Sequence, residues 1–168
     1  MNTTYLRIEA PYNRELLLTQ IRQLEDNQDI LQLEVTEEVD REIIWAASYN
    51  ANNTLILKAN VFKPLTWLIY TASLAKRCGL YTILEFYPIT PKNTRVVQIL
   101  QALEGIVPAH LEVRARFAKF KSIPSSIPKD TLVYVDGQYR CSNSFKLLFI
   151  ETLQYYLSPY NIVVYEAD

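Results

Sequence analysis

The chain has 168 residues, 49% of them hydrophobic and 21% charged, with a net charge of −1 and a pI near 5.9, so it resembles neither a disordered chain nor a typical nucleic-acid binder. Two cysteines exclude a disulfide framework, and three glycines, all at expected helix stops or turns, leave none for a Gly-rich nucleotide loop. The small net charge hides a division: residues 1–57 hold four Lys/Arg against ten Asp/Glu, while residues 58–121 hold ten against three. Such asymmetry bears on partners rather than on fold.

Thr4–Glu9 reads as a short strand. Asn13 then caps a helix whose Leu17, Ile21 and Leu24 share one face. Ile30–Val35 is a second strand. Thr36 is the expected N-cap of a second helix, with Glu37, Glu38 and Asp40 in its first turn, where the helix dipole favours acids. Thr54–Leu57 is a third strand. The helix over Val61–Arg77 is apolar nearly all round, which predicts cover on more than one side, and Lys76, Arg77 and Gly79 signal its end. Tyr81–Tyr87 is a fourth strand, and Thr90-Pro91 opens a helix that Gly105 stops. After His110 apolar and charged residues alternate through Phe117, the pattern of an edge strand with one wet face, with antiparallel direction open. Residues 121–130 form a Pro/Ser loop, Leu132–Asp136 a buried-type strand, Ser142 or Ser144 the cap of a last helix, and Ile162–Tyr165 a closing strand.

Strands alternating with helices predict one α/β domain over residues 1–168. Its expected form is a three-layer α/β/α (Rossmann-like) arrangement, with a mostly parallel sheet of six to seven strands and helices on both faces. No internal repeat stands out. The first residues carry no basic flank followed by an apolar core, and no apolar run reaches membrane-spanning length, so a cytoplasmic protein without membrane contact is expected.

In open parallel sheets ligands bind beyond the carboxyl ends of the strands. The residues expected there are Arg14, Lys63, Lys92, Asn93, Arg95, Asp136, Arg140, Ser142 and Ser144, cations and hydroxyls beside helix starts that favour anions. Cys141, next to Arg140 and a helix start, is where a thiol pKa would fall. The same residues also serve as plain turns and caps. Arg114, Arg116, Lys119 and Lys121 interleave with Phe117 and Phe120 as a phosphate-attracting patch with bases to stack, or as a charged edge protected against aggregation. His110 is the lone histidine, which leaves zinc sets and Ser-His-Asp triads without support. Glu9, Glu85 and Asp136 would meet as a Mg²⁺ site only if their strands were neighbours. No cofactor and no resident metal are expected.

The run Thr54–Gly105 is similar, in layout alone, to STAS-type regulatory domains. Val61-Phe62-Lys63-Pro64-Leu65-Thr66 stands where their phosphorylatable signature would be, so no residue role carries over.

The leading expectation is a non-catalytic regulatory or ligand-binding module that recognises an anionic, phosphate-bearing ligand, a nucleotide or RNA, at the basic rim of the sheet. A homodimer or other oligomer, or a protein partner, would join the acidic 1–57 and basic 58–121 blocks. The alternative is an enzyme cleaving or transferring phosphoryl groups on a nucleotide or cyclic oligonucleotide. Arg140, Lys92 and Arg95 would then stabilise charge, and Ser142, Ser144 or Cys141 would polarise or attack. A further alternative is a protein–protein adaptor, which twelve tyrosines would suit.

Overall fold

The computed structural model describes residues 2–89, 111–117, 133–135, 138–140, 143–157 and 163–166. Strand β1 (Thr3–Ile8) leads to helix α1 (Arg14–Asp26), β2 (Ile30–Val35), α2 (Arg41–Ala47), β3 (Thr54–Asn60), α3 (Thr66–Cys78) and β4 (Tyr81–Ile89). Then come β5 (Leu111–Phe117), β6 (Val133–Val135), β7 (Gln138–Arg140), α4 (Asn143–Leu157) and β8 (Val163–Glu166).

Local signals place most boundaries. Asn13 caps α1, its side chain accepting the Leu16 N–H at 3.0 Å. Gly79, at φ 69°, takes the left-handed stop after Lys76 and Arg77. The second helix starts later than expected. Asp40, not Thr36, is its cap, accepting the Glu42 N–H at 2.9 Å, and the Glu37 carboxylate instead receives the Ala10 N–H at 3.1 Å. Likewise α3 begins only at Thr66, because Asn60 first turns the chain by accepting the Phe62 and Lys63 N–H groups, each at 3.0 Å. Helix α3 buries Trp67, Leu68, Thr71, Ala72, Leu74 and Ala75 but leaves Ile69 and Tyr70 exposed, so its outer side stays uncovered.

The main sheet runs β1-β2-β3-β4-β5-β8, and each neighbouring pair is parallel. Strand–helix alternation and a parallel sheet agree with the expected Rossmann-like α/β class. Two finer expectations are corrected. Strand 111–117 is neither antiparallel nor at the edge: it lies between β4 and β8, parallel to both. Its charged alternation reflects an open face, not an open edge. The expected strand near Leu132–Asp136 does not join the main sheet; Val133–Val135 pairs antiparallel with Gln138–Arg140 as a separate hairpin.

The order of the strands also places the described helices. Successive crossovers all advance in one direction, and right-handed crossovers that never reverse put their helices on one face. Helices α1, α2 and α3 accordingly pack side by side, and α4 lies on β8, with Phe149 edge-on to Phe117 at 5.7 Å. Among the described residues the helices lie on one face of the sheet, which makes two layers of them. Thr3 faces Ile30, Gln32 faces Thr54, Thr54 faces Tyr81 and Thr82 faces Leu111, steps of 27, 22, 27 and 29 residues. From β1 to β4 the described residues thus form three successive strand–helix–strand units of similar length.

The core lies between sheet and helices. Leu33, Leu55, Leu57, Leu84, Phe86 and Val113 meet Ile21, Ile43, Ile44 and Leu68 there. Asn53 is the buried polar joint, accepting the Leu31 N–H at 2.8 Å and donating to the Ala47 carbonyl at 2.9 Å. No helix among the described residues is long and apolar enough to cross a membrane.

Candidate functional site

Two features stand out among the described residues: the sheet face on which none of their helices lies, and a cleft at the margin where the strands end. Alternation along each strand sends Tyr5, Arg7, Gln32, Glu34, Ile56, Lys58, Ile83, Glu85, Glu112, Arg114 and Arg116 to the open face. Tyr5, Arg7 and Gln32 are exposed, while Glu34 and Glu85 are 3% and 2% exposed.

Burying a carboxylate requires compensation, and here cations on adjacent strands supply it. Arg7 stands 3.1 Å from Glu34, Lys58 lies 3.8 Å from Glu34 and 3.6 Å from Glu85, and Arg116 reaches Glu85 at 3.4 Å. The result is a ladder of alternating charge across five strands, β1 to β5. Glu34 Oε2 accepts no aligned hydrogen bond among the described residues; Arg7 supplies it with charge rather than with an in-line donor. Tyrosines flank the ladder. Burial around its hydroxyl and a hydrogen bond with Glu34 push the Tyr5 phenol up to about 12, and burial raises that of Tyr87, whose ring lies 5.8 Å from Lys58 Nζ.

At the margin, Arg7, Glu9, Thr36, Glu37, Asn60, Lys63, Trp67 and Tyr87 help line a cleft of about 420 Å³. Its position beyond the strand ends is the one parallel topology favours. Its charge is mixed, because Glu9 and Glu37 share it with Arg7 and Lys63, and Arg7 also pairs with Glu9 at 2.9 Å.

Of the residues expected at this margin, Lys63 lines the cleft. Arg14 does not. It opens α1 and joins α1 to α2 by pairing with Glu15, Glu42 and, at 3.1 Å, Asp40. The Glu42 backbone N–H, with Arg14 alongside, holds the Asp40 carboxyl below its ordinary range. Arg140 ends the hairpin strand β7, and Ser144 lies in the first turn of α4. Lys92, Asn93, Arg95, Lys119, Lys121, Asp136, Cys141 and Ser142 lie outside the described residues.

Arg114 and Arg116 share the open face as expected of a strand, but each stands near a carboxylate, Glu112 at 3.7 Å and Glu85 at 3.4 Å respectively. Phe117 points to the other face, 5% exposed in the core, so it is no platform for a base. Glu9 lies just past β1 and Glu85 in the middle of β4, with β2 and β3 between those strands, so the two do not meet, and no group of three metal-ligating residues occurs among the described residues. Burial raises the pKa of the Cys78 thiol, the reverse of what a nucleophile needs.

The ladder itself escapes a reading of the sequence. Arg7, Glu34, Lys58 and Glu85 each look like a solvated residue within a strand, and only the order of strands makes them neighbours. A usable signal exists in the period-two pattern of Tyr5-Leu6-Arg7-Ile8, which marks one polar face on a strand that a two-sided sheet would bury. No family model, no curated protein and no solved structure matches this chain.

Proposed function

We propose that this chain is a non-catalytic recognition module that holds a protein partner across the uncovered face of its sheet. The carrying observation is a parallel sheet with one face that no described helix covers, since parallel sheets ordinarily have both faces covered. A stack of strand–helix units that leaves its sheet open offers an extended, preformed surface, and tyrosine with arginine is the composition that protein interfaces favour. The alternating ladder argues for a protein rather than a polyanion. A nucleic acid laid on this face would meet Glu34, Glu85 and Glu112 among its cations, whereas a protein can match charge for charge.

A second reading, an anionic phosphate-bearing ligand such as a nucleotide or RNA at the margin cleft, draws support from Lys63 and Thr36 there. The enzyme alternative draws on Arg140, Cys141, Ser142 and Ser144, and nothing in the described geometry favours it.

A photo-cross-linking residue at Gln32, on the open face, should trap a partner that the same group at Thr19, on α1, does not. Binding of the purified partner should fall at least about tenfold with Gln32→Arg, which adds bulk and charge without removing a rung. If Gln32→Arg binds like the unaltered chain, the protein reading is abandoned. Binding of nucleotides or short RNA that weakens at higher salt, and that Lys63→Ala removes while Gln32→Arg does not, would favour the margin instead.

A further inference from the structure

Strand β1 is one end of the sheet, paired only with β2 among the described residues. The Ile30 N–H donates to the Asn2 carbonyl at 2.8 Å, so the even-numbered residues of β1 direct their backbone polar groups toward β2. Alternation then turns the N–H and C=O of Thr3, Tyr5 and Arg7 outward, a straight row of donors and acceptors. Sheet edges are usually blunted by proline, lysine, a bulge or a covering loop. Thr3–Ile8 (TTYLRI) contains neither proline nor lysine, and its register with β2 is unbroken.

We propose that two copies of this chain pair through antiparallel β1 strands about a two-fold axis at Tyr5, joining their sheets into one. The occupant is argued from the self-complementarity of the strand. Read against its own reverse, Tyr5 faces the second copy's Tyr5, Thr3 faces its Arg7 and Thr4 faces its Leu6. Arg7, the one charge of the strand, meets a hydroxyl across the pair and lies diagonal to the second copy's Tyr5, a favourable cation–aromatic placement. Sliding the copies until Arg7 faces Arg7 would oppose like charges, which selects against that register. Beside the strand a groove of about 230 Å³, lined by Ile8, Tyr12, Leu16 and Leu17, keeps Leu16 56% exposed, apolar surface that a neighbouring strand would cover. This inference does not rest on the proposed function, because it uses the edge of the sheet and not its open face.

The test is sedimentation velocity on the full chain combined with cysteine pairing. At the two-fold axis the Tyr5 Cα atoms would stand about 5.5 Å apart, within disulfide reach. In a Cys78→Ser, Cys141→Ser background, Tyr5→Cys should give a covalent dimer on mild oxidation, and Thr19→Cys should not. Thr3→Pro removes an outward N–H without removing a bond to β2. It should weaken the dimer at least about tenfold while leaving the circular dichroism unchanged. A monomer at every concentration overturns the inference, as does a dimer that Tyr5→Cys fails to link or that Thr3→Pro leaves intact.

Discussion

Lys58 is the middle rung of the ladder, and its removal tests whether the open face is held together by charge. Its Nζ stands 3.8 Å from Glu34 and 3.6 Å from Glu85, carboxylates whose side chains are 4% and 3% exposed. Two unit charges near 4 Å attract by about 4 kcal/mol at an effective dielectric of roughly 20. Deleting one partner of a buried pair usually costs about 3–5 kcal/mol, because the other charge is left without its counter-ion. The Lys58 side chain is 28% exposed, so water screens part of this, and Arg7 and Arg116 still flank the ladder. Lys58→Met should therefore cost about 2–3 kcal/mol after that discount. For a chain of this length the loss corresponds to a Tm lower by about 4–12 °C. Urea unfolding should show a lower midpoint at unchanged slope. Lys76→Met, at an exposed helix end, is the control and should cost less than about 1 kcal/mol. A double-mutant cycle with Glu34→Gln should return a coupling of about 0.5–3 kcal/mol. If Lys58→Met costs no more than Lys76→Met, or the coupling is nil, the ladder is solvated decoration and the argument fails.

Asn53→Ala leaves the Leu31 N–H and the Ala47 carbonyl without their partner inside the core, and should cost about 2–4 kcal/mol by calorimetry; a loss below about 1 kcal/mol would mean that water takes over both groups. Asp40 sets a pH dependence. Its folded pKa lies below the ordinary value of 3.8, so its contribution is complete above that value and disappears as pH falls through the lowered one. Asp40→Asn keeps the capping oxygen and removes the charge, so the gap in urea midpoint between the two proteins should close in acid; a gap that stays constant with pH would refute the assignment.

Some of this was legible in the residues. Asn13 and Gly79 act on backbone groups within a few positions, and both do what their types predict. Thr36 misled because Asp40 offers the stronger acceptor and Arg14 steadies it from another helix, a contact that no local rule contains. Strand 111–117 misled for a related reason. Charged alternation signals one wet face, which an edge strand and an inner strand such as 111–117 share. Of the candidate rim, Lys63 was placed by its distance past β3, while the fate of Arg14 depended on three carboxylates supplied by its neighbours.

By itself the sequence determined the alternation of strand and helix, the helix ends and the apolar faces, since periodicity and capping act over one or two turns. Only the tertiary structure decided the order of the strands, the crowding of helices onto one face and the pairing of Arg7, Lys58 and Arg116 with Glu34 and Glu85. Those outcomes depend on contacts between residues more than twenty positions apart, and on the handedness of successive crossovers, which composition and spacing along one strand do not carry.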